Sequence, residues 1–116
     1  MDAMTRRSHA ASLLAALLGL GALSIAEAGA ADAKAGKAKS QACSVCHGAT
    51  GISTLPDAPN LAGQPEIYLA NQLRAFRSGE RRHEVMSVVA KSLSDDDIAD
   101  LAAWFSSIPI EAKPRD

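Results

Sequence analysis

Aromatic side chains are scarce in this sequence. Its 116 residues include one tryptophan, one tyrosine and two phenylalanines. A chain of this size buries a limited core, and small domains often need a disulfide, a metal or a cofactor to be stable. The shortage of aromatic residues therefore suggests that something other than side chains fills part of the centre.

An excess of charge of either sign is also missing. The formal net charge at pH 7 is −1, and beyond residue 30 ten basic residues stand against eleven acidic ones. This balance argues against nucleic acid or an anionic membrane surface as the main partner. No stretch alternates strictly between apolar and polar residues, and the segments that carry a period are helical. We therefore expect an all-α protein.

The N-terminal segment has the pattern of an export signal. Arg6 and Arg7 precede an apolar run over residues 10–25, and small residues follow in "AEAGA", where cleavage after Ala28 or Ala30 is expected. The apolar run is short for a membrane span, which needs about 20 residues. An uncleaved N-terminal anchor is the alternative.

We accordingly expect residues 1–30 to be a signal peptide, residues 31–108 to form one domain and residues 109–116 to be a C-terminal tail. "TRR" resembles a twin-arginine signal, but "SHAAS" fits that pattern poorly, so the general secretion route is favoured. The predicted location is a bacterial periplasm, without stable membrane insertion. About 86 residues remain beyond the signal, which is enough for one domain and too few for two.

Three helical signals precede the last helix. The first helix is predicted from Asp32, a suitable N-cap, to about Cys46. A second has Pro65 in its first turn and Gly79 just past its end. A turn or two of helix is expected over residues 86–91.

The last helix has the clearest start in the sequence. Ser94 and Asp97 have the spacing of a capping box, and Pro109 closes the helix. Apolar residues follow the start at helical spacing, namely Ile98, Leu101, Phe105 and Ile108. The sixteen residues 48–63, by contrast, are interrupted by glycine and proline. A loop of this length in a compact domain usually wraps around something or serves a site.

The segment "CSVCH" contains the only two cysteines in the chain. On a helix, Cys43, Cys46 and His47 leave from one face, because they stand at i, i+3 and i+4. Two thiols at this spacing can meet the two vinyl groups on one edge of a porphyrin, and the adjacent imidazole can reach the iron. C-x-x-C-H is accordingly the signature of covalently attached haem c.

Two other kinds of site use the same residue types. A redox disulfide of the thioredoxin kind is expected within a βαβ pattern, which this chain lacks. A zinc site would draw on Cys43, Cys46, His47 and His83, but a second ligand pair at finger spacing is missing. Export also places the thiols where haem c is assembled.

Haem iron in electron-transfer proteins takes a ligand on each side. Met86 is the only methionine beyond residue 30, and it lies between two predicted helices. As an isolated methionine it would be read as a core gap-filler, and next to "CSVCH" it is the candidate distal ligand. His83, in a strongly polar stretch, is the competing ligand. A backbone carbonyl near Pro59 is free to accept the Nδ1 hydrogen of His47, although Pro59 as a plain turn former is the alternative.

Taken together, three segments resemble class I cytochrome c, and within it the small bacterial cytochromes of the c4/c553 type. They are "AGKAKSQACSVCHGATG", "PNLAGQPEIYLANQLRAFRSGER" and "VMSVVAKSLSDDDIADLAAWF". The resemblance implies the cytochrome c fold, three to five helices around one covalently bound haem. Gly36 and the Trp104 region would meet where the first and last helices cross.

The resemblance also implies the roles of the site residues. Cys43 and Cys46 would form the haem thioethers, His47 and Met86 would be the axial iron ligands, and Pro59 would support His47. Two features depart from the pattern. Cytochromes c4 proper carry two such domains, and family members often have a proline shortly before the ligand methionine, which "RRHEVM" lacks.

The implied function is an exported monohaem protein that carries single electrons between redox enzymes. Its iron would cycle between Fe(II) and Fe(III) with both ligands bound, so no substrate would be turned over and the protein would not be an enzyme. Partners would be redox proteins such as a respiratory complex, a terminal oxidase or a dehydrogenase. The alternatives are a permanent cytochrome subunit of a periplasmic dehydrogenase, and a haem enzyme or gas sensor with an open iron site.

Overall fold

The computed structural model describes residues 29–115, so nearly all of the predicted signal peptide lies outside the described residues. Within this range the chain forms helices and loops, without strands, which confirms the all-α prediction. The helices are α1 (Ala33–Lys39), α2 (Gln41–His47), α3 (Glu66–Ser78), α4 (Met86–Val89), a 3-10 helix (Ala90–Ser92) and α5 (Asp95–Ser107). No helix in the described part of the chain has the length and apolar character to cross a membrane.

The first predicted helix is divided in two at Ser40. The Ser40 hydroxyl donates to the Lys37 carbonyl at 2.8 Å, and its backbone has ψ −6° instead of the helical value near −42°. Such a bond from serine to the preceding turn bends helices. The prediction of one continuous helix to Cys46 was therefore wrong at this residue. The bend gives α2, which bears the cysteines, a direction of its own.

Helix α1 packs closely against α5. A Cβ on Gly36 would overlap the carbonyl oxygen of Asp100 and lie 2.9 Å from Cβ of Trp104, so only glycine fits. The Lys39 ammonium bridges the carboxylates of Asp97 and Asp100, each at 2.8 Å. The expected meeting of Gly36 with the Trp104 region is therefore confirmed.

Helix α5 also packs against α3 to form the core. Buried residues at helical spacing on the two helices make up the core cluster, namely Leu69, Ala70, Ile98, Leu101, Ala102 and Phe105. Ser94 and Asp97 form the predicted capping box, with both reciprocal bonds at 3.0 Å. Gly79 ends α3 in the left-handed conformation, at φ +85°, as predicted. Pro65 stands one residue before α3 and not in its first turn.

Candidate haem site

Helix α2 brings the two cysteines and His47 together at its C-terminal end. Cys43 and Cys46 are half-buried free thiols, and His47 is buried, with 7 % of its surface exposed. The helical spacing places all three on one side of α2. His83 does not join them: within residues 29–115, no three His, Cys, Asp or Glu side chains are placed to hold a metal ion.

Cys43 lies where α2 meets the core. Its side chain packs against the cluster formed by α3 and α5. Burial raises the pKa of the Cys43 thiol, because the thiolate would lose its hydration. The thiol is therefore neutral at pH 7 and faces apolar neighbours. This environment suits covalent contact with the apolar edge of a porphyrin.

The imidazole of His47 is fixed by the backbone of the following loop. Its Nδ1 lies 2.7 Å from the carbonyl oxygen of Pro59. A carbonyl only accepts, so Nδ1 donates its hydrogen, and in the neutral ring the lone pair is then on Nε2. A neutral imidazole in this tautomer is ready to bind a metal through Nε2. The contact expected from the sequence between His47 and Pro59 is present.

The loop that presents Pro59 is closed by hydrogen bonds that the sequence did not reveal. The Ser53 N–H donates to the side-chain oxygen of Asn60 at 2.7 Å, and the Ser53 hydroxyl donates to the Cys46 carbonyl at 2.9 Å. The Gly51 carbonyl accepts two further bonds, from the Leu61 N–H at 2.8 Å and from the Ala62 N–H at 3.0 Å. These bonds tie the Pro59 region back to the end of α2. Asn60 showed only as a turn former in the sequence.

Met86 lies on a helix that does not contact α2. It begins α4 and is half-buried. No Cα atom of α2 lies within 8 Å of a Cα atom of α3, α4 or α5. Helix α4 instead contacts α3 and the 3-10 helix. The helices that bear His47 and Met86 are therefore held by different parts of the fold.

Apolar side chains are exposed on the same segments. Of nine large apolar residues that are exposed in the described chain, six lie on α2, on the loop after it or at α4: Val45, Ile52, Leu55, Val85, Val88 and Val89. Isolated exposed apolar residues are ordinary on a protein surface. Their concentration beside His47 and Met86 fits a large apolar group at this site. The residues present therefore fit haem.

The side chain of His83 is engaged with the neighbouring backbone. Its side chain is exposed, and its Nδ1 lies 3.3 Å from the backbone nitrogens of both Val85 and Met86. This nitrogen accepts from the start of α4. Met86 is half-buried and His83 is exposed, which favours Met86 over His83 as the distal ligand.

The comparisons with known proteins agree with this geometry. The family model "Cytochrome c" matches residues 33–109, which include every site residue discussed above. The chain therefore belongs to the cytochrome c family. Covalently bound haem c is its cofactor, and Cys43 and Cys46 fit the C-x-x-C-H attachment motif.

Within that family the chain is similar to cytochromes c4. It is 46 % identical over 95 residues to a cytochrome c4 of Pseudomonas aeruginosa, covering 82 % of this chain and 47 % of the relative. The crystal structure of reduced recombinant cytochrome c4 from Pseudomonas stutzeri matches with a TM-score of 0.65 and 40 % identity, over 69 % of this chain and 47 % of that one. The predicted cytochrome c fold is thereby confirmed.

A third relative has a more specific name. The chain is 47 % identical over 74 residues to a "Thiosulfate dehydrogenase electron acceptor" of Thiomonas intermedia, covering 62 % of this chain and 34 % of the relative. The chain spans about half the length, or less, of these three proteins.

Proposed function

We propose that this protein is an exported monohaem electron carrier. The observation that carries the proposal is the ring of His47, whose Nδ1 is held by the Pro59 carbonyl at 2.7 Å so that Nε2 is the nitrogen available to a metal. When bound, the haem supplies an iron that takes up and gives back one electron. The similarity to cytochromes c4 supports the same function.

The proposal assigns each site residue a task. Cys43 and Cys46 would anchor the haem as thioethers, and His47 Nε2 and the Met86 sulfur would be the iron ligands. The Pro59 carbonyl orients the His47 ring through the 2.7 Å bond from Nδ1. With His47 and Met86 as ligands the iron would have no position for a substrate, so we propose that the protein is not an enzyme.

The location and domain limits follow the sequence pattern. We propose that residues 1–30 are the signal peptide, residues 31–108 the cytochrome domain and residues 109–116 a tail, with the mature protein in the periplasm. The first helix begins at Ala33, shortly after either cleavage point. Partners are redox proteins, such as a respiratory complex, a terminal oxidase or a dehydrogenase. The balanced charge argues against nucleic acid as a partner.

Spectra of the protein expressed with haem-maturation machinery test the ligand set. The reduced protein should give a low-spin c-type spectrum, and the oxidised protein should show the weak sulfur-to-iron charge-transfer band. Met86→Ala should abolish that band and lower the potential, because a thioether favours the reduced iron. Unchanged spectra in Met86→Ala would transfer the ligand role to His83.

Carbon monoxide tests the closed iron site separately. Because both axial positions are filled, the reduced wild type should bind carbon monoxide poorly at neutral pH, whereas Met86→Ala should bind it readily. Ready binding by the wild type would favour a gas sensor or a haem enzyme instead.

A second candidate function is a cytochrome subunit of a periplasmic dehydrogenase. The observation that favours it is the 47 % identity to a protein named as the electron acceptor of thiosulfate dehydrogenase. Stable association needs an apolar surface. Those exposed apolar side chains beside the site that haem does not cover could form part of such a surface. A second chain that stays bound to the native protein through a high-salt wash would favour this function, and isolation as a single chain would favour the free carrier.

A further inference from the structure

The helix that begins with Met86 has little stability of its own. Helix α4 comprises four residues, and two of them, Val88 and Val89, are β-branched. The residue directly before it, Val85, forms no side-chain cap. The proline that precedes the ligand methionine in many family members is also missing from "RRHEVM". A short helix of this composition needs support at its N-terminus.

His83 provides that support. Its carbonyl accepts the Ser87 N–H at 2.9 Å, so the hydrogen-bonded turn starts at His83, three residues before the assigned helix. Its Nδ1 accepts from the backbone N–H groups of Val85 and Met86 at 3.3 Å. These are the second and third N–H groups of the turn, the same two that an asparagine or serine N-cap satisfies.

Ser87 completes the cap from inside the helix. The His83 backbone N–H donates to the Ser87 hydroxyl at 2.9 Å, while the Ser87 N–H returns to the His83 carbonyl. Two residues four apart thus bind each other reciprocally, in the manner of a capping box. Met86 lies inside this closed turn, and its own N–H is one of the bonded groups.

We propose that His83 is a positioning residue: its side chain caps the turn that carries Met86 and so holds the methionine toward the haem site. This inference rests on the proposed role of Met86 as iron ligand. His83 acts through the backbone and does not touch the iron. The cap replaces the conformational restriction that a proline would otherwise provide before the ligand.

Competition by added imidazole measures how firmly Met86 is held. At one fixed neutral pH, imidazole is titrated into the oxidised protein and the loss of the sulfur-to-iron band gives its apparent dissociation constant. His83→Ala removes the acceptor, so imidazole should bind about fivefold more tightly, the factor that corresponds to losing one helix cap. His83→Asn keeps an acceptor at the same place and should restore the wild-type constant. Ser87→Ala, which removes only the second bond, should shift the constant in the same direction by less.

Ser94→Ala is the matched control. It removes the cap of α5, whose Ser94 hydroxyl accepts from the Asp97 N–H at 3.0 Å, and it should lower the denaturation midpoint without changing the imidazole constant. Equal imidazole constants in wild type, His83→Ala and Ser87→Ala would overturn the inference, as would an equal shift in Ser94→Ala. A wild type that lacks the sulfur-to-iron band would overturn the proposed role of Met86 together with the inference. If the wild type shows the band and Met86→Ala loses it, the role of Met86 as ligand stands. The imidazole constants then test the role of His83 alone.

Discussion

The packing of α1 on α5 and the arrangement of α2 and α4 differ in kind. The first is complete in polypeptide alone, because Gly36 lets the backbones touch and Lys39 joins two carboxylates across the contact. At the second, the helices share no close backbone contact and apolar side chains remain exposed. One half of the domain is therefore held by its own side chains, and in the other half the haem would supply the missing apolar contacts.

Removing the cofactor should have the largest effect, because it acts on the side of the domain that contains α2 and α4. In the double variant Cys43→Ala and Cys46→Ala, haem cannot be attached, and a chain with four aromatic residues has little else to pack around on that side. We expect the helical content measured by circular dichroism to fall clearly below that of the wild type, while the contact of α1 with α5 preserves part of it. Ser44→Ala, between the two cysteines, should keep covalent haem on a denaturing gel and full helicity. A double variant as helical as the wild type would show that the site side folds without haem.

Replacing Gly36 should weaken the contact of α1 with α5. In Gly36→Ala the new methyl group overlaps the Asp100 carbonyl, and overpacking at a backbone contact costs about 3 kcal/mol of unfolding free energy. Gly79→Ala is the contrast, because a Cβ there meets nothing within 4 Å and only the positive φ opposes it, at roughly 1–2 kcal/mol. Urea unfolding of both variants gives the difference. Equal losses would mean that α1 and α5 separate easily.

Acidification should produce the smallest effect of the three changes. It tests the ion pairs that join α1 to α5. The pKa of Asp97 is lowered to about 2 from its ordinary 3.8. The largest cause is the hydrogen bond from the Lys39 ammonium, and hydrogen bonds from Ser94 add to it. Because the folded pKa lies below the unfolded one, the stabilisation is present above pH 3.8 and is lost as the pH falls toward 2. Urea midpoints of Lys39→Met should therefore be lower at pH 5 and fall less with acidification than those of the wild type.

Lys91→Met is the control for the acid experiment. Lys91 is exposed and forms no ion pair among residues 29–115, so its replacement removes a charge of the same sign without touching Asp97. Its midpoints should follow the wild type across the acid range. An identical acid response in Lys39→Met would show that Lys39 is too well solvated to matter.

Features that depend only on neighbouring residues could be predicted from the sequence. The capping box at Ser94, the glycine after α3 and the "CSVCH" spacing each lie within a few neighbouring residues, so the residue types alone specify the geometry. The cytochrome c fold followed from the order of such segments.

What escaped prediction depends on where loops bring side chains. The bend at Ser40 depends on whether a serine hydroxyl turns back to the preceding turn or faces solvent, and both are open to the same sequence. The Ser53 to Asn60 bond needs the fold of the whole loop. His83 was placed in a solvated polar stretch, and it is exposed, but its bonds to the following backbone are set by the course of the chain after α3.

The close approach of Gly36 to Asp100 has a consequence for the order of events during folding. It joins the first and last helices of the domain, so the contact closes a chain segment of more than sixty residues and forms late relative to local helices. Until α5 is in place, α1 has no partner and Cys43 is not covered by the C-terminal helix. Closure of the domain therefore waits for its final helix, and the glycine at position 36 permits that closure.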